Sequence, residues 1–164
     1  VGERKMYHPN GQEISTIKYV DGQMDGEVRS YYENGQVSGI GSFVNGLLEG
    51  ESKRFYENGQ LMEVGKFEKG IKTGQWKSFS EKGQLRAEGE YKNDRRSGEW
   101  KIYRENGKLR YSGIYENGHR TGEPKSFDEN GELSAVQLYE DDYKTFYDNG
   151  QLDSTVTVED GQYI

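Results

Sequence analysis

A 24-residue repeat runs through the chain and constrains its fold more than any other feature of the sequence. Glycines that follow Asn or Lys recur at this spacing: Gly11, Gly35, Gly59, Gly83, Gly107 and Gly131. A row of aromatic residues keeps the same period: Tyr19, Phe43, Phe67, Tyr91, Tyr115 and Tyr139. Self-similarity at a period of this length is typical of arrays that stack one supersecondary element many times.

Seven repeats account for the 164 residues, with only Val1 outside them. Five repeats of 24 residues are followed by a shortened one of 19, which has lost the loop between Tyr139 and Tyr143, and by a last one of 24. We treat the chain as a single repeat domain, residues 1–164, with repeats at 2–25, 26–49, 50–73, 74–97, 98–121, 122–140 and 141–164.

Each repeat has the pattern of a β-hairpin. In the fifth repeat, the segments Glu99–Arg104 and Lys108–Glu116 are strand-like, and Glu105–Gly107 lies between them. Asn-Gly at such a position favours a type I′ turn, in which both central residues have positive φ. The 23 Gly and 13 Tyr also favour many short strands joined by tight turns. The sequence therefore predicts an all-β fold, an elongated antiparallel β-meander of seven stacked β-hairpin repeats.

The second strand of each hairpin carries a glycine at a constant position. In the fifth repeat Tyr111, Gly113 and Tyr115 lie two residues apart along the strand and therefore share one face. A glycine inside a strand indicates the close approach of a bulky group. We expect a large aromatic side chain from a neighbouring strand to cover it, with Trp76 and Trp100 as the candidates.

The first strand does not alternate as cleanly, because Trp100 and Tyr103 are three residues apart. Either a β-bulge brings both rings to one face, or the sheet has aromatic residues on both faces. We expect the bulge. The positions that define the repeat are clearest at Gly74, Trp76, Gly98, Trp100, Tyr103, Gly107, Gly113 and Tyr115.

The pattern Gly-x-Trp-x-x-Tyr-x-Glu-Asn-Gly-x-Leu, continued by Gly-x-Tyr-x-x-Gly-x-x-x-Gly, resembles the MORN repeat (membrane occupation and recognition nexus) in its bacterial variant. The resemblance covers the whole chain and implies a hairpin array with a non-enzymatic role. Some members of that variant family are antitoxin or immunity components of bacterial toxin systems, and others are surface or secreted proteins. Eukaryotic relatives are linked to phospholipids and scaffolding. The departures are Asp94 for Gly, Ser52 and Pro124 at the Trp position, and the shortened sixth repeat.

Residues that could carry catalysis are few and scattered. The chain has no Cys, which excludes thiol nucleophiles and Cys-ligated metals. His8 and His119 fall in different repeats and at different positions, so we do not expect them to form a pair. The acidic run 140–142 lacks the alternating spacing of a calcium-binding loop. The sequence therefore predicts a non-enzyme without cofactor or metal, and no apolar run approaches the ~18 residues of a membrane helix.

Two surfaces depart from the regular repeat and are our predicted partner-binding sites. The first consists of the variable triplets inside Gly-x-x-x-Gly, which we place at loop tips; they change from apolar to basic along the chain. Its basic residues are Lys72, Arg95, Arg96 and Arg120. Either loop tips vary freely, or a partner protein or an anionic headgroup lies along this edge.

The second surface is acidic. Residues 128–164 contain ten Asp or Glu and one Lys, a net charge of −9, whereas the rest of the chain has a net charge of +2. Such asymmetry suits a basic partner, and it also suits the solubilising end of a repeat array. The residues that we assign to partner binding here are Asp141, Asp142, Asp148 and Asp153.

The leading hypothesis is a non-catalytic protein-binding module, in one form a bacterial antitoxin or immunity protein that occludes its partner. The alternative is a membrane-lipid-associated scaffold, or a secreted or surface scaffold that interacts with a host. Nucleic-acid binding is disfavoured because the net charge is −7 and the Tyr rows are needed for packing. The sequence leaves open whether the protein acts in the cytoplasm or at the surface of a bacterium.

Overall fold

A computed structural model describes residues 1–137, 143–146, 150–156, 158–159 and 162–163. These residues form β-strands joined by turns, which confirms the predicted all-β class. Within the described residues, no helix is long and apolar enough to cross a membrane. The chain divides into two compact bodies, the first made of residues 1–85 and 91–94 and the second of 86–90 and 95–164.

The first body is an antiparallel meander in which consecutive long strands pair with each other. The short strand β3 pairs with β2. Its strands are β1 (Gly2–Tyr7), β2 (Glu13–Val20), β3 (Gln23–Met24), β4 (Gly26–Tyr31), β5 (Val37–Val44), β6 (Leu47–Phe55), β7 (Leu61–Glu68) and β8 (Ile71–Phe79). The next strand, β9 (Leu85–Lys92), contributes residues to both bodies.

The second body continues the same pattern, so the predicted meander of hairpins is confirmed in each body. Its long strands are β10 (Arg95–Tyr103), β11 (Leu109–Glu116), β12 (His119–Phe127), β13 (Leu133–Gln137), β14 (Tyr143–Phe146) and β15 (Leu152–Val156). The short strands β16 (Val158–Glu159) and β17 (Gln162–Tyr163) pair with each other.

Two kinds of turn alternate along the chain, and the type I′ turn is not where the sequence placed it. At Asn117-Gly118 both residues have positive φ, 51° and 85°, as a type I′ turn requires. At Asn106-Gly107 only the glycine does, with φ of 80°. Asn106 instead uses its side-chain oxygen to accept a hydrogen bond from the Lys108 amide at 3.0 Å, an Asx-type turn in a wider loop. The type I′ assignment at Glu105–Gly107 is therefore wrong.

The variable triplets are not loop tips: the first begins the short strand β3, and the others are the first residues of long strands. Strand β8 begins at Ile71, β10 at Arg95 and β12 at His119. A two-residue turn ends immediately before β12, so that Arg120 already pairs with Tyr115 of the preceding strand. The chain then continues in the strand through a glycine with positive φ, such as Gly74 (64°) or Gly98 (65°).

The side-chain directions in β10 contradict the expectation that Trp100 and Tyr103 lie on the same face. The pairing of β10 with β11 shifts by one residue just before Tyr103, and the extra residue, Arg110, lies in β11. After Gly98, which has positive φ, β10 alternates regularly from Trp100 to Tyr103, and this places the two rings on opposite faces. Trp100 lies against Gly89, whereas the Tyr103 hydroxyl reaches Glu88, the neighbouring residue in β9. The expectation that a bulge brings both rings to one face is wrong, and aromatic residues occupy both faces. In each body we call the face that carries Trp76 or Trp100 the indole face.

Candidate partner-binding face

The two indoles are the centre of the packing in their respective bodies. Trp76 and Trp100 are only 4% and 6% exposed. A Cβ atom on Gly65 would overlap the indole of Trp76, and one on Gly89 would overlap the indole of Trp100. The expectation that these tryptophans cover the strand glycines is confirmed.

Pro124 replaces the tryptophan in the sixth repeat, and another ring takes over its role. The Tyr111 hydroxyl oxygen lies 2.7 Å from the position that a Cβ on Gly113 would occupy. Burial raises the pKa of Tyr111, and a hydrogen bond with Arg120 opposes that rise. The glycine is therefore covered from its own strand rather than from the next one.

Lys72 and Arg96 hold the same position in successive repeats, and each lies over aromatic rings of its own body. The Lys72 ammonium is 3.9 Å from the ring centroid of Trp76 and 5.2 Å from that of Tyr91. A cation within about 6 Å of a ring centroid is attracted by the negative face of the ring. Sequence analysis assigned both cations to a partner surface, but their first contacts are with the chain's own rings.

The guanidinium carbon of Arg96 lies 4.5 Å from the ring centroid of Trp100 and 5.5 Å from that of Tyr115. Its neighbour Arg95 points to the opposite face, because successive strand residues alternate. The stem of Arg95 lies 3.5 Å from where a Cβ on Gly118 would stand. The predicted basic residues of the second body are therefore divided between two faces.

Hydrogen bonds from several wide turns to the next repeat were not anticipated. In the first body, Asn58 donates from its side-chain amide to the Glu81 carbonyl at 2.8 Å, and the Tyr56 hydroxyl donates to the Phe79 carbonyl at 2.9 Å. In the second body, Asn106 donates to the Glu129 carbonyl at 3.0 Å. The 24-residue row of asparagines was the available signal.

Tyr103 has a strongly perturbed pKa. Its hydroxyl donates to the Glu88 carboxylate at 2.7 Å. Burial is the larger cause, and together with this hydrogen bond it raises the pKa of Tyr103 to about 12. The ring lies on the face opposite Trp100, so its chemistry is separate from that of the indole face.

Of the predicted acidic residues, Asp141, Asp142 and Asp148 lie outside the described residues. Asp153 is exposed on β15 and accepts a hydrogen bond from the Thr145 hydroxyl at 3.0 Å. His8 makes a 3.0 Å hydrogen bond with the Tyr31 carbonyl in the first body, and His119 is exposed at the start of β12 in the second. In the part of the chain that the structure describes, no group of three His, Cys, Asp or Glu could hold a metal ion.

A meander of hairpins that repeats one packing pattern, with variable residues at the starts of its long strands, is the architecture of a repeat protein. The chain matches the MORN repeat variant over residues 1–21, 24–45, 48–69, 72–93, 96–117 and 142–160, and it belongs to that family. Repeats of this kind are generally binding modules. The match skips residues 118–141, which include the shortened repeat. A search of curated proteins finds no match to the chain.

Proposed function

We propose that the chain is a non-catalytic protein-binding module whose contact surface includes the indole face. One observation carries this proposal. The middle residue of the variable triplets, which at Lys72 and Arg96 lies over the aromatic rings, changes its chemistry from repeat to repeat while the surrounding scaffold is repeated. In the first body this position holds Met24, Leu48 and Lys72, all half-buried. In the second body it holds Arg96 and Arg120, both exposed. A scaffold needs only its repeated positions, so variation here is where specificity for a partner can be encoded.

We further propose that binding occludes the partner, as an antitoxin or immunity protein does. The acidic stretch 128–164, with a net charge of −9, supports this form because it would steer a basic partner into a complex. Asp153, exposed on β15, belongs to this stretch. Steering of this kind increases the association rate at low salt and weakens as salt is added.

A phospholipid surface is the less favoured ligand. Each basic residue near an anionic leaflet contributes about 1 kcal/mol, so a handful of them binds weakly. Lys72 and Arg96 are already held over aromatic rings of their own bodies. The acidic stretch would in addition be repelled by an anionic membrane.

The test begins with the tagged full chain as bait in extract of the organism that encodes it, followed by reconstitution of the complex from purified proteins. We expect one partner that binds stoichiometrically and loses its own activity in the complex. Reversing the charge of Asp141, Asp142, Asp148 and Asp153 should slow association at low salt. As a matched control, the same number of reversals at exposed glutamates of the first body should not.

Two results would contradict the proposal. Sedimentation of the chain with acidic liposomes, without any stoichiometric protein complex, would replace it with the lipid-bound scaffold. A complex whose association rate depends neither on salt nor on the four charge reversals would contradict the proposal that the acidic stretch steers a basic partner.

A further inference from the structure

A groove of about 460 Å³ opens on the indole face of the first body, where the repeat has Ser52 in place of tryptophan. Its volume falls in the range of about 300–1,000 Å³ that is usual for ligand sites in proteins. Gly39 and Gly41 are among the residues that line it. The side chains around them include Val28, Ser30, Phe43, Leu48, Ser52 and Arg54.

The neighbouring repeat of the same body shows what such a groove holds when it is filled. Trp76 lies against Gly65 and meets the ring of Phe67 edge-on, with centroids 5.2 Å apart and an interplanar angle of 83°. The equivalents of Gly65 and Phe67 at the groove are Gly41 and Phe43, one period earlier. The glycine and the aromatic ring beside the indole are thus kept, Leu48 stands where Lys72 covers the indole, and the indole itself is missing.

The chain fills this space only in part. The Cδ1 atom of Leu48 lies 2.8 Å from the position that a Cβ on Gly41 would occupy, and the Ser52 hydroxyl lies 3.7 Å from the same point. In contrast to Gly113, which is covered by a tyrosine ring, Gly41 has the flexible end of a leucine as its nearest neighbour. A flat ring can displace that end at little cost.

The rim adds a charge that selects the ligand. Arg54 is 62% exposed in its side chain and lies 3.4 Å from the Glu63 carboxylate. A guanidinium at this rim can stack on the face of a bound ring, as the Lys72 ammonium does over Trp76. It also favours a carboxylate next to that ring.

We propose that the groove binds a tryptophan side chain of a partner protein, flanked in the partner by an acidic residue that faces Arg54. This inference rests on the proposed function, because the tryptophan ring has to come from a protein partner. A second copy of the chain cannot supply it, because the sequence has two Trp and both are buried, at 4% and 6% exposure. Tryptophan is also among the residues that most often dominate the affinity of protein interfaces.

The direct test uses N-acetyl-L-tryptophanamide as the probe, titrated into the isotope-labelled full chain and followed by amide NMR shifts. We expect saturable shifts at Gly39, Gly41 and Ser52, with a Kd on the order of 1 mM. N-acetyl-L-leucinamide should bind at least about tenfold more weakly, because it lacks the ring. Shifts that do not saturate, or that are spread over the surface, would overturn the proposal.

Substitutions at Ser52 make the test specific to the groove. Ser52→Trp places an indole of the chain itself in the groove, so it should abolish probe binding and raise the melting temperature. Ser52→Leu fills the groove with a smaller side chain, so it tests the same point if the Trp variant misfolds. It should weaken probe binding at least about tenfold. The matched control is Glu51→Trp, which adds an indole on the opposite face at a side chain that is 63% exposed. It should bind the probe as the parent does. Unchanged binding in both Ser52 variants, or loss of binding in the Glu51 variant, would overturn the proposal.

The failure of this inference and the failure of the proposed function give different results. A stoichiometric partner that binds Ser52→Trp as tightly as the parent overturns the groove and leaves the protein-binding function intact. A chain that binds the probe in the groove but has no protein partner overturns the proposed function. A partner whose affinity falls at least about tenfold with Ser52→Trp, and is unchanged with Glu51→Trp, supports both.

Discussion

The indole of Trp100 lies so close to the main chain of Gly89 that no side chain larger than a hydrogen atom fits between them. The same relationship joins Trp76 to Gly65 in the first body. Among the described residues, the buried hydrophobic side chains are those of Trp76, Trp100 and Val136. The strand glycines let each ring lie flat on the sheet, which takes the place of a conventional core.

The substitution Gly89→Ala should therefore destabilise the protein. The added methyl group overlaps the Trp100 ring, and overpacking of this kind costs about 1–3 kcal/mol. Urea unfolding should show the loss as a lower midpoint. Gly2→Ala is the matched control, because a Cβ on Gly2 has no atom within 4 Å. Equal shifts for the two variants would show that the ring does not press on the strand.

The adjacent arginines of β10 should differ in their contribution to stability. Arg96→Gln removes a cation that lies 4.5 Å from the Trp100 ring centroid, at a cost of about 0.5–1 kcal/mol. Arg95→Gln removes a cation on the opposite face and should change the free energy of unfolding by less than about 0.5 kcal/mol. Thermal unfolding of both variants measures the difference. If Arg95→Gln proved the more damaging, the assignment of faces in β10 would be wrong.

The turn-to-turn hydrogen bonds should be measurable one at a time. Asn58→Asp keeps the oxygen that accepts from the Gln60 amide but loses the amide that donates to the Glu81 carbonyl. We expect a loss of about 0.5–1.5 kcal/mol in urea unfolding. The control is Asn130→Asp, since the Asn130 side chain bonds to none of the residues that the structure describes. A loss as large in that control would attribute the effect to added charge.

Tyr103 should make stability depend on alkaline pH. Its pKa is raised to about 12 in the folded protein, chiefly by burial, against about 10 in an unfolded chain. Above pH ~10 the unfolded chain releases a proton that the folded chain retains. The contribution of Tyr103 is therefore complete below pH ~10 and falls as the pH rises towards ~12.

Alkaline titration of tyrosinate absorbance checks this prediction. The difference between the parent and Tyr103→Phe should be a single step with its midpoint at about 12. Glu88→Gln removes the charged acceptor of the Tyr103 hydroxyl, so the step should move down towards 10. A step that stays in place would leave burial as the sole cause of the raised pKa.

That Trp76 and Trp100 cover strand glycines could be predicted from the sequence, because both rows keep the same period and a strand glycine has few other reasons to recur. The turn type could not, because Asn-Gly serves both geometries. The number of residues between the paired strand ends decides between them, and pairing is not visible in one sequence. For the same reason the sequence predicted Arg95 and Arg96 together at a loop tip. In the structure β10 already begins at Arg95, so the two side chains lie on opposite faces.

The groove at Ser52 shows a different limit. In the sequence, Ser52 and Pro124 are equivalent departures from the tryptophan row. Only the side chains around them distinguish the two positions: the ring of Tyr111 covers Gly113, whereas the end of Leu48 covers Gly41 and a groove remains beside it. Whether a substitution in a repeat leaves a void depends on what its neighbours can reach, which sequence spacing alone does not reveal.

The Asn58 amide bonds to a main-chain carbonyl, and so does that of Asn106. Every residue type offers such a carbonyl, so the repeat that receives the bond can carry any side chain there. One repeat can therefore be duplicated, deleted or exchanged as a whole without breaking this link. Such an architecture is suited to recombination between genes. Exchanged repeats would bring new combinations of surface residues while the hydrogen bonds between repeats are kept.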